Sequence, residues 1–440
     1  MKTKIIINRT GWRVMVIAFF TLHASLFTSS AQSVQEEIRA DVRRSAGTFL
    51  AYPAPEQSAM TPAPDGKKPF FLSHFGCQGS YYLDQQEDYE NPYLTLAKAD
   101  SLGKLTPLGH DVMQRLDILR HDALNRTGEL TEIGEQQQRD IITRMEKNFP
   151  ETFDSTGYVS ARSTTLNRCV MSMEEAMLQV SRLRHTSIGH RASKSFQDIM
   201  NPQDKKLNAM KMDSTTTAHY RAFAKQYEHP QRLVQNLFND TAYIKKHVKA
   251  QRLFNQLFDL ASTIQNTELR DQLTLFDLFT PEEIYQQWKK TNAWWYINYG
   301  GCTLNGGLQP YTSRNLLRYM IEKGDSISLT NKPVTYLHYT LETVFLPLVC
   351  LMDINGFGLA TDDLESLDEK DWADFRIAPM SGNLQMIYYR KDFDDKDILI
   401  KVLLNEREAS LPIPTDCAPY YHWKDVRDYY LQKLNTYEKK

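Results

Sequence analysis

KPFFLSHFGCQGSYY, residues 68–82, is an aromatic and apolar run, FFLSHF at 70–75, that ends in a turn carrying glycines at 76 and 79. That composition predicts a buried strand opening into a loop. In open α/β sheets the carboxyl ends of strands are where ligands bind, although a plain strand-to-helix turn fits the same residues. Upstream, AYPAPEQSAMTPAPDGKKP holds five prolines in 19 residues and predicts an extended segment feeding the strand.

Two further junctions share this character. LTEIGEQQQRDIITRMEKNFP, from Leu130, spaces Ile133, Ile141, Ile142, Met145 and Phe149 at mostly helical intervals, and Pro150 stops the helix. GYVSARSTTLNRCVMSMEEAMLQV then reads as a short strand running into a second helix. Arg162 and Ser163 fall at that junction, where backbone N–H groups and a guanidinium suit an anion; an arginine there also serves as a surface or cap residue. Later, KPVTYLHYTLETVFLPLVCLMDINGFG predicts a strand at 334–339 and an apolar helix from about Glu342, followed by strands NLQMIYYR at 383–390 and ILIKVLLN at 398–405. The junctions at 75–82, 160–168 and 339–343 are expected to converge at the carboxyl ends of their strands.

Between the α/β segments the pattern changes. From 181 to about 300 helical periodicity dominates, as in Leu253, Leu257, Ala261 and Ile264, and strand signals are sparse. Residues 181–260 hold 14 Lys and Arg against 6 Asp and Glu, with five of the 11 histidines. A solvated helical face and a basic lid over an anionic-ligand cleft both fit that excess. The expected organisation is one α/β body, 32–180 and 301–440, carrying a helical cap inserted at 181–300.

Composition sets the outer limits. Hydrophobic residues make up 41% and charged residues 24%, which excludes a mainly disordered, collagenous or coiled-coil chain. A net charge of -2 argues against a nucleic-acid binder. At the start, Lys2, Lys4, Arg9 and Arg13 precede the 14-residue apolar run Val14–Phe27, with Ser29 and Ala31 before a plausible cleavage point. This reads as a signal peptide over 1–31, since the run is short of the ~20 residues that span a bilayer. Export to the periplasm or cell surface, with no stable membrane span after cleavage, is expected. There Cys77, Cys169, Cys302, Cys350 and Cys417 can pair, their odd number leaving at least one free. No CxxC and no His/carboxylate pattern has metal-ligand spacing, so neither a metal nor a cofactor is expected.

Taken in order, these junctions resemble the histidine acid phosphatase family, in particular its multiple inositol-polyphosphate phosphatase and phytase-like branch. The likeness runs from AYPAP and KPFFLSHFG through ARSTTLNRCVMSM and PLVCLM to IAPMSGNLQMIYYRK, ILIKVLLNE and PYYHW. It implies a histidine-phosphatase-like α/β/α sandwich with a helical cap. It also implies an Arg-His-Gly-x-Arg loop after the first strand, whose histidine takes the phosphoryl group and whose arginines bind phosphate. A third arginine comes from the second junction, and a late His-x-Glu supplies a second histidine and the proton donor.

Placed on that pattern, this chain departs at most positions. Cys77 stands at the first arginine, Gln78 at the nucleophilic histidine, Tyr81 at the second arginine and Thr340 at the partner histidine. Gly79, with Ser80 at the variable position, Arg162 as the third arginine and Glu342 as the proton donor match the pattern. A glutamine amide lacks the basic lone pair that a phosphoenzyme requires, and the missing guanidiniums remove charge neutralisation from the transferring group. The resemblance therefore implies a catalytically impaired homologue, a pseudoenzyme that binds a small anionic or phosphorylated ligand. An active phosphomonoester hydrolase with a non-standard site and a protein-interaction module are the alternatives. Cys77 does not open a cysteine-phosphatase route, because Leu83 stands where that loop needs arginine, and His74 and His338 are expected to be structural.

Overall fold

The aromatic run at 70–75 lies inside strand β1 (Lys68–Cys77), where every residue after Lys68 is buried. A strand apolar on both faces belongs in the interior of a sheet covered on both sides, and that is its position here. The computed structural model describes residues 33–55, 60–200 and 204–438; the leader expected at 1–31 lies outside them. Among the described residues no helix is long and apolar enough to cross a membrane.

Among the described residues one eight-stranded sheet forms from β1, β2 (Tyr158–Ser163), β3 (Ser187–Ala192), β4 (Val334–Thr340), β5 (Asn383–Arg390), β6 (Leu399–Leu404), β7 (Arg407–Glu408) and β8 (Tyr420–His422). Its order is β3-β2-β4-β1-β5-β6-β7, with β8 also on β6. β1 pairs in parallel with β4, which pairs in parallel with β2, and β5 returns antiparallel on the other side of β1. Cys77 is opposite Thr340, and Ser163 is opposite Tyr339, so the three junctions meet at one end of the sheet.

Helices cover both faces. Leu72, Val159, Ala161, Leu337 and Ile387 pack with Ile141, Ile142, Met145, Met173 and Met177 of the helices Glu132–Asn148 and Asn167–Leu183. On the other face Phe71, Phe75, Val334 and Tyr388 meet the helices Arg314–Ser328, Glu342–Met352 and Trp423–Glu438. The result is the mixed α/β, three-layer arrangement expected from the sequence.

The helical region is built differently from its expected limits of 181–300. β3 extends the sheet to Ala192; its residues SIGHRA are mostly exposed and lack an apolar run, as befits an edge strand. From Lys205 to Ser328 the described chain is helical or irregular. Its core also takes in Tyr89, Leu96, Val112 and Leu116 from the helices Gln86–Asp100 and Pro107–Asp122. All five cysteines are free thiols, in place of the pairing their compartment suggested. Cys77, Cys302 and Cys350 are packed as small apolar side chains in one core.

Candidate functional site

The loop after β1 spends its backbone donors on the protein itself. The N–H of Cys77 donates to the Gly382 carbonyl at 2.8 Å and that of Gln78 to the Thr340 carbonyl at 3.1 Å. Gly79 N–H donates to Ser172 Oγ at 3.1 Å, and Ser80 N–H to Gln137 Oε1 at 3.0 Å. An anion at the end of a strand normally draws on such groups. Here four successive N–H groups already have acceptors. Glycines permit the tightness: a Cβ on Gly79 would lie 2.5 Å from the Gly134 carbonyl oxygen, at the start of the helix Glu132–Asn148.

Gln78 is 1% exposed, and its Nε2 donates to Glu342 Oε2 at 2.6 Å. Among the described residues its own Oε1 is buried without a partner. Thr340, opposite Cys77, donates its hydroxyl to the backbone carbonyl of Met200, which covers the end of β4 and is itself buried. Burial pushes the Cys77 thiol well above its usual range, and the Glu342 carboxylate adds to the shift, so Cys77 is held as a neutral thiol. Burial and Glu342 likewise push up the Tyr81 hydroxyl.

The arginine beside Tyr81 is Arg168. Arg168, in the first turn of the helix Asn167–Leu183, is 7% exposed and places its guanidinium 4.3 Å from the Tyr81 ring centroid. It is bound to Asp84 at 2.7 Å, and its Nε has no partner among the described residues. Arg162 instead pairs with His338 in the sheet register, donates to the Ala161 carbonyl and lies over Phe196. Arg162 is the arginine nearest the strand. The junction continues through Leu166, so the residue that reaches Tyr81 comes six positions later, within the same ARSTTLNRCV stretch. Asp84, Ser172 and Met200 carried no separate sequence signal, because their roles depend on loop closure.

Arg168→Gln is expected to lower stability by roughly 1–2 kcal/mol, the range of a desolvated cation–π contact plus a partly exposed ion pair. Arg162→Gln should cost about half as much or less, and paired urea unfolding curves compare the two.

Glu342 keeps part of its surface exposed, and burial, with the Glu342 charge adding to it, raises Tyr299 to about 12. Lys211 Nζ sits 4.1 Å from the Tyr299 ring centroid, and burial lowers it to about 8. One cation of the helical region thus stands over the aromatic neighbour of Glu342. A nearby cavity of about 240 Å³ is lined by Phe49, Leu83, Trp295 and the carboxylates Asp88 and Asp259. A larger one, about 730 Å³, lies elsewhere, around Arg43, Arg144, Gln265 and Arg270. Neither includes Gln78 or Glu342 in its lining.

No family model matches the sequence, and no curated protein shows significant sequence similarity to it. Solved structures do match. The Bifidobacterium longum multiple inositol polyphosphate phosphatase, in complex with inositol hexasulfate, superposes with a TM-score of 0.74 over 87% of this chain and 97% of its own, at 14% identity. The fold is that of the histidine acid phosphatases. The phytase from D. castellii follows with a TM-score of 0.66 over 89% of this chain and 85% of its own, at 13% identity. The Hafnia alvei phytase matches at 0.52, covering 84% of this chain and 98% of its own, at 10% identity. At such identities the likeness is one of architecture, and the chemistry has to be argued from the residues at the strand ends.

Proposed function

We propose that this chain is an exported, non-catalytic protein on a phytase-like fold, whose phosphate site is filled by its own side chains. The observation that carries the reading is the Gln78–Glu342 hydrogen bond of 2.6 Å. Phosphoryl transfer to a histidine at this position would need a nitrogen lone pair directed at phosphorus and a carboxylic acid free to protonate the leaving alkoxide. At position 78 the lone pair is delocalised into an amide, and the N–H is turned toward the carboxylate. Cys77 offers a neutral thiol, and the guanidinium of Arg168 is engaged by Asp84 and Tyr81. Export rests on the basic and apolar leader at 1–31.

A small phosphorylated ligand is then held at the rim, near Lys211 and the basic helical region, rather than over Gln78. Binding of that kind is electrostatic and screened by salt. Inositol hexakisphosphate is expected to raise the thermal midpoint only at low ionic strength, and less so in Lys211→Ala. Inorganic phosphate is expected to leave the midpoint unchanged. Salt-resistant phosphate binding that is lost in Gln78→Ala would place the ligand over the strand ends and contradict the reading.

A further inference from the structure

At the opposite end of the sheet, outside the phosphatase-like site, a thiol, an imidazole and a carboxylate converge. Asp416 and Cys417 lie on the loop before β8, and His422 ends that strand opposite Leu399 of β6. His422 Nε2 is 3.1 Å from Asp416 Oδ1 and 4.0 Å from Cys417 Sγ, and one donor atom from each residue lies within 4.8 Å of the others. Tetrahedral zinc, with bonds of about 2.0–2.3 Å to such donors, sets them roughly 3.3–3.8 Å apart. Small side-chain adjustments reach that spacing.

The other imidazole nitrogen is held in the way metal-binding histidines are. His422 Nδ1 is 2.6 Å from Asp397 Oδ1, and Asp397 is in turn 3.4 Å from the buried ammonium of Lys67. A carboxylate on Nδ1 fixes the ring and directs the Nε2 lone pair toward the remaining donors. Cys417 is anchored by Thr415, whose hydroxyl lies 3.3 Å from both its Sγ and its backbone nitrogen. An ion pair between His422 and two aspartates accounts for the carboxylates. It does not call for a thiol at the same point.

We propose that Asp416, Cys417 and His422 form a site for a borderline-soft divalent cation of the zinc and cobalt class, with Asp397 orienting the histidine. Three protein donors leave a fourth position for water or an external ligand. Binding displaces the thiol proton and, from the charged imidazole, the Nε2 proton, both to solvent, giving a Cys417 thiolate and a neutral His422 ligated through Nε2. The sequence does not single out the site: D-C-x4-H has no usual metal-ligand spacing, and it is the β6–β8 pairing that brings Asp397 to His422.

The test is titration of the metal-free, full-length mature chain with cobalt(II) and then zinc(II). One equivalent of cobalt should produce a thiolate-to-cobalt charge-transfer absorption that zinc abolishes. Cys417→Ser should remove the band, and His422→Gln and Asp397→Asn should each weaken binding at least about tenfold. Cys417 is the only one of the five cysteines that is not buried, so alkylation of the native wild-type protein reports on it directly. Zinc should slow that alkylation at least about tenfold, a readout that needs no variant to fold. Absence of the cobalt band, its persistence in Cys417→Ser, or alkylation indifferent to zinc would overturn the proposal.

Discussion

His74→Leu is expected to make the protein more resistant to acid, with an advantage over wild type that widens as pH falls. His74 is 1% exposed on β1, and neither ring nitrogen has a hydrogen-bond partner among the described residues. Burial lowers its pKa from 6.5 to about 3, so the folded protein holds it neutral. Below about pH 6.5 the unfolded chain takes up a proton that the native state refuses, and native stability falls until the folded pKa is reached. Leucine, of similar volume, removes that linkage. The gap should grow by about 1.4 kcal/mol per pH unit below 6.5, to roughly 3 kcal/mol near pH 4.5.

Other buried groups, His338, Asp374 and Asp259 among them, bear on the raw pH profile. His338, also lowered to about 3 by burial, acts in the same direction as His74. Asp374, raised to about 7 by burial, acts oppositely: the folded state keeps its proton, and stability falls as pH rises from about 4 to 7. Asp374 is common to wild type and variant and cancels in the difference; His338 keeps its burial shift in both and loses only the added repulsion from His74. Urea unfolding of the two proteins at neutral and acid pH measures it, and a gap that does not change with pH would show that His74 is hydrated or paired in solution.

Gly134→Ala is expected to destabilise the protein by about 3 kcal/mol or more, against the helix-propensity gain of nearly 1 kcal/mol that alanine normally brings. A Cβ at 134 would stand 2.2 Å from the Ser80 carbonyl oxygen and 2.8 Å from its nitrogen. Both obstacles are backbone, so no rotamer relieves them; the loop or the helix has to move. Movement would break the Thr131 N–H bond to Ser80 O at 2.9 Å and the Ser80 N–H bond to Gln137 at 3.0 Å. Thermal or urea denaturation decides the sign. A neutral or stabilising alanine would mean that the loop after β1 is not clamped as described.

Much of the architecture was legible because its strands are buried on both faces and flanked by clear breaks. NLQMIYYR at 383–390 forms β5 over those same residues, and the junctions after β1, β2 and β4 converge as expected. What escaped depends on tertiary context. β3 has no apolar pattern, and the helices Gln86–Asp100 and Pro107–Asp122 join the helical core through contacts that sequence order hides. At the site, Gln78, Tyr81, Thr340 and Glu342 are legible as types at positions. The choice of Arg168 over Arg162 depends on how far the junction runs before the helix begins. The closure of the loop N–H groups depends on Ser172, Gln137 and Gly382, which come from three other segments.

The central claim is that Gln78, locked to Glu342 in a closed loop, leaves no phosphoryl-transfer chemistry at the strand ends. Its most direct test is the initial rate of phosphate release from phytate and from a chromogenic phosphomonoester, across acid to neutral pH, for wild type and Glu342→Gln at equal concentration. Both proteins should match the buffer blank. Saturable release by wild type that falls at least about tenfold in Glu342→Gln would contradict the claim and establish an active phosphatase.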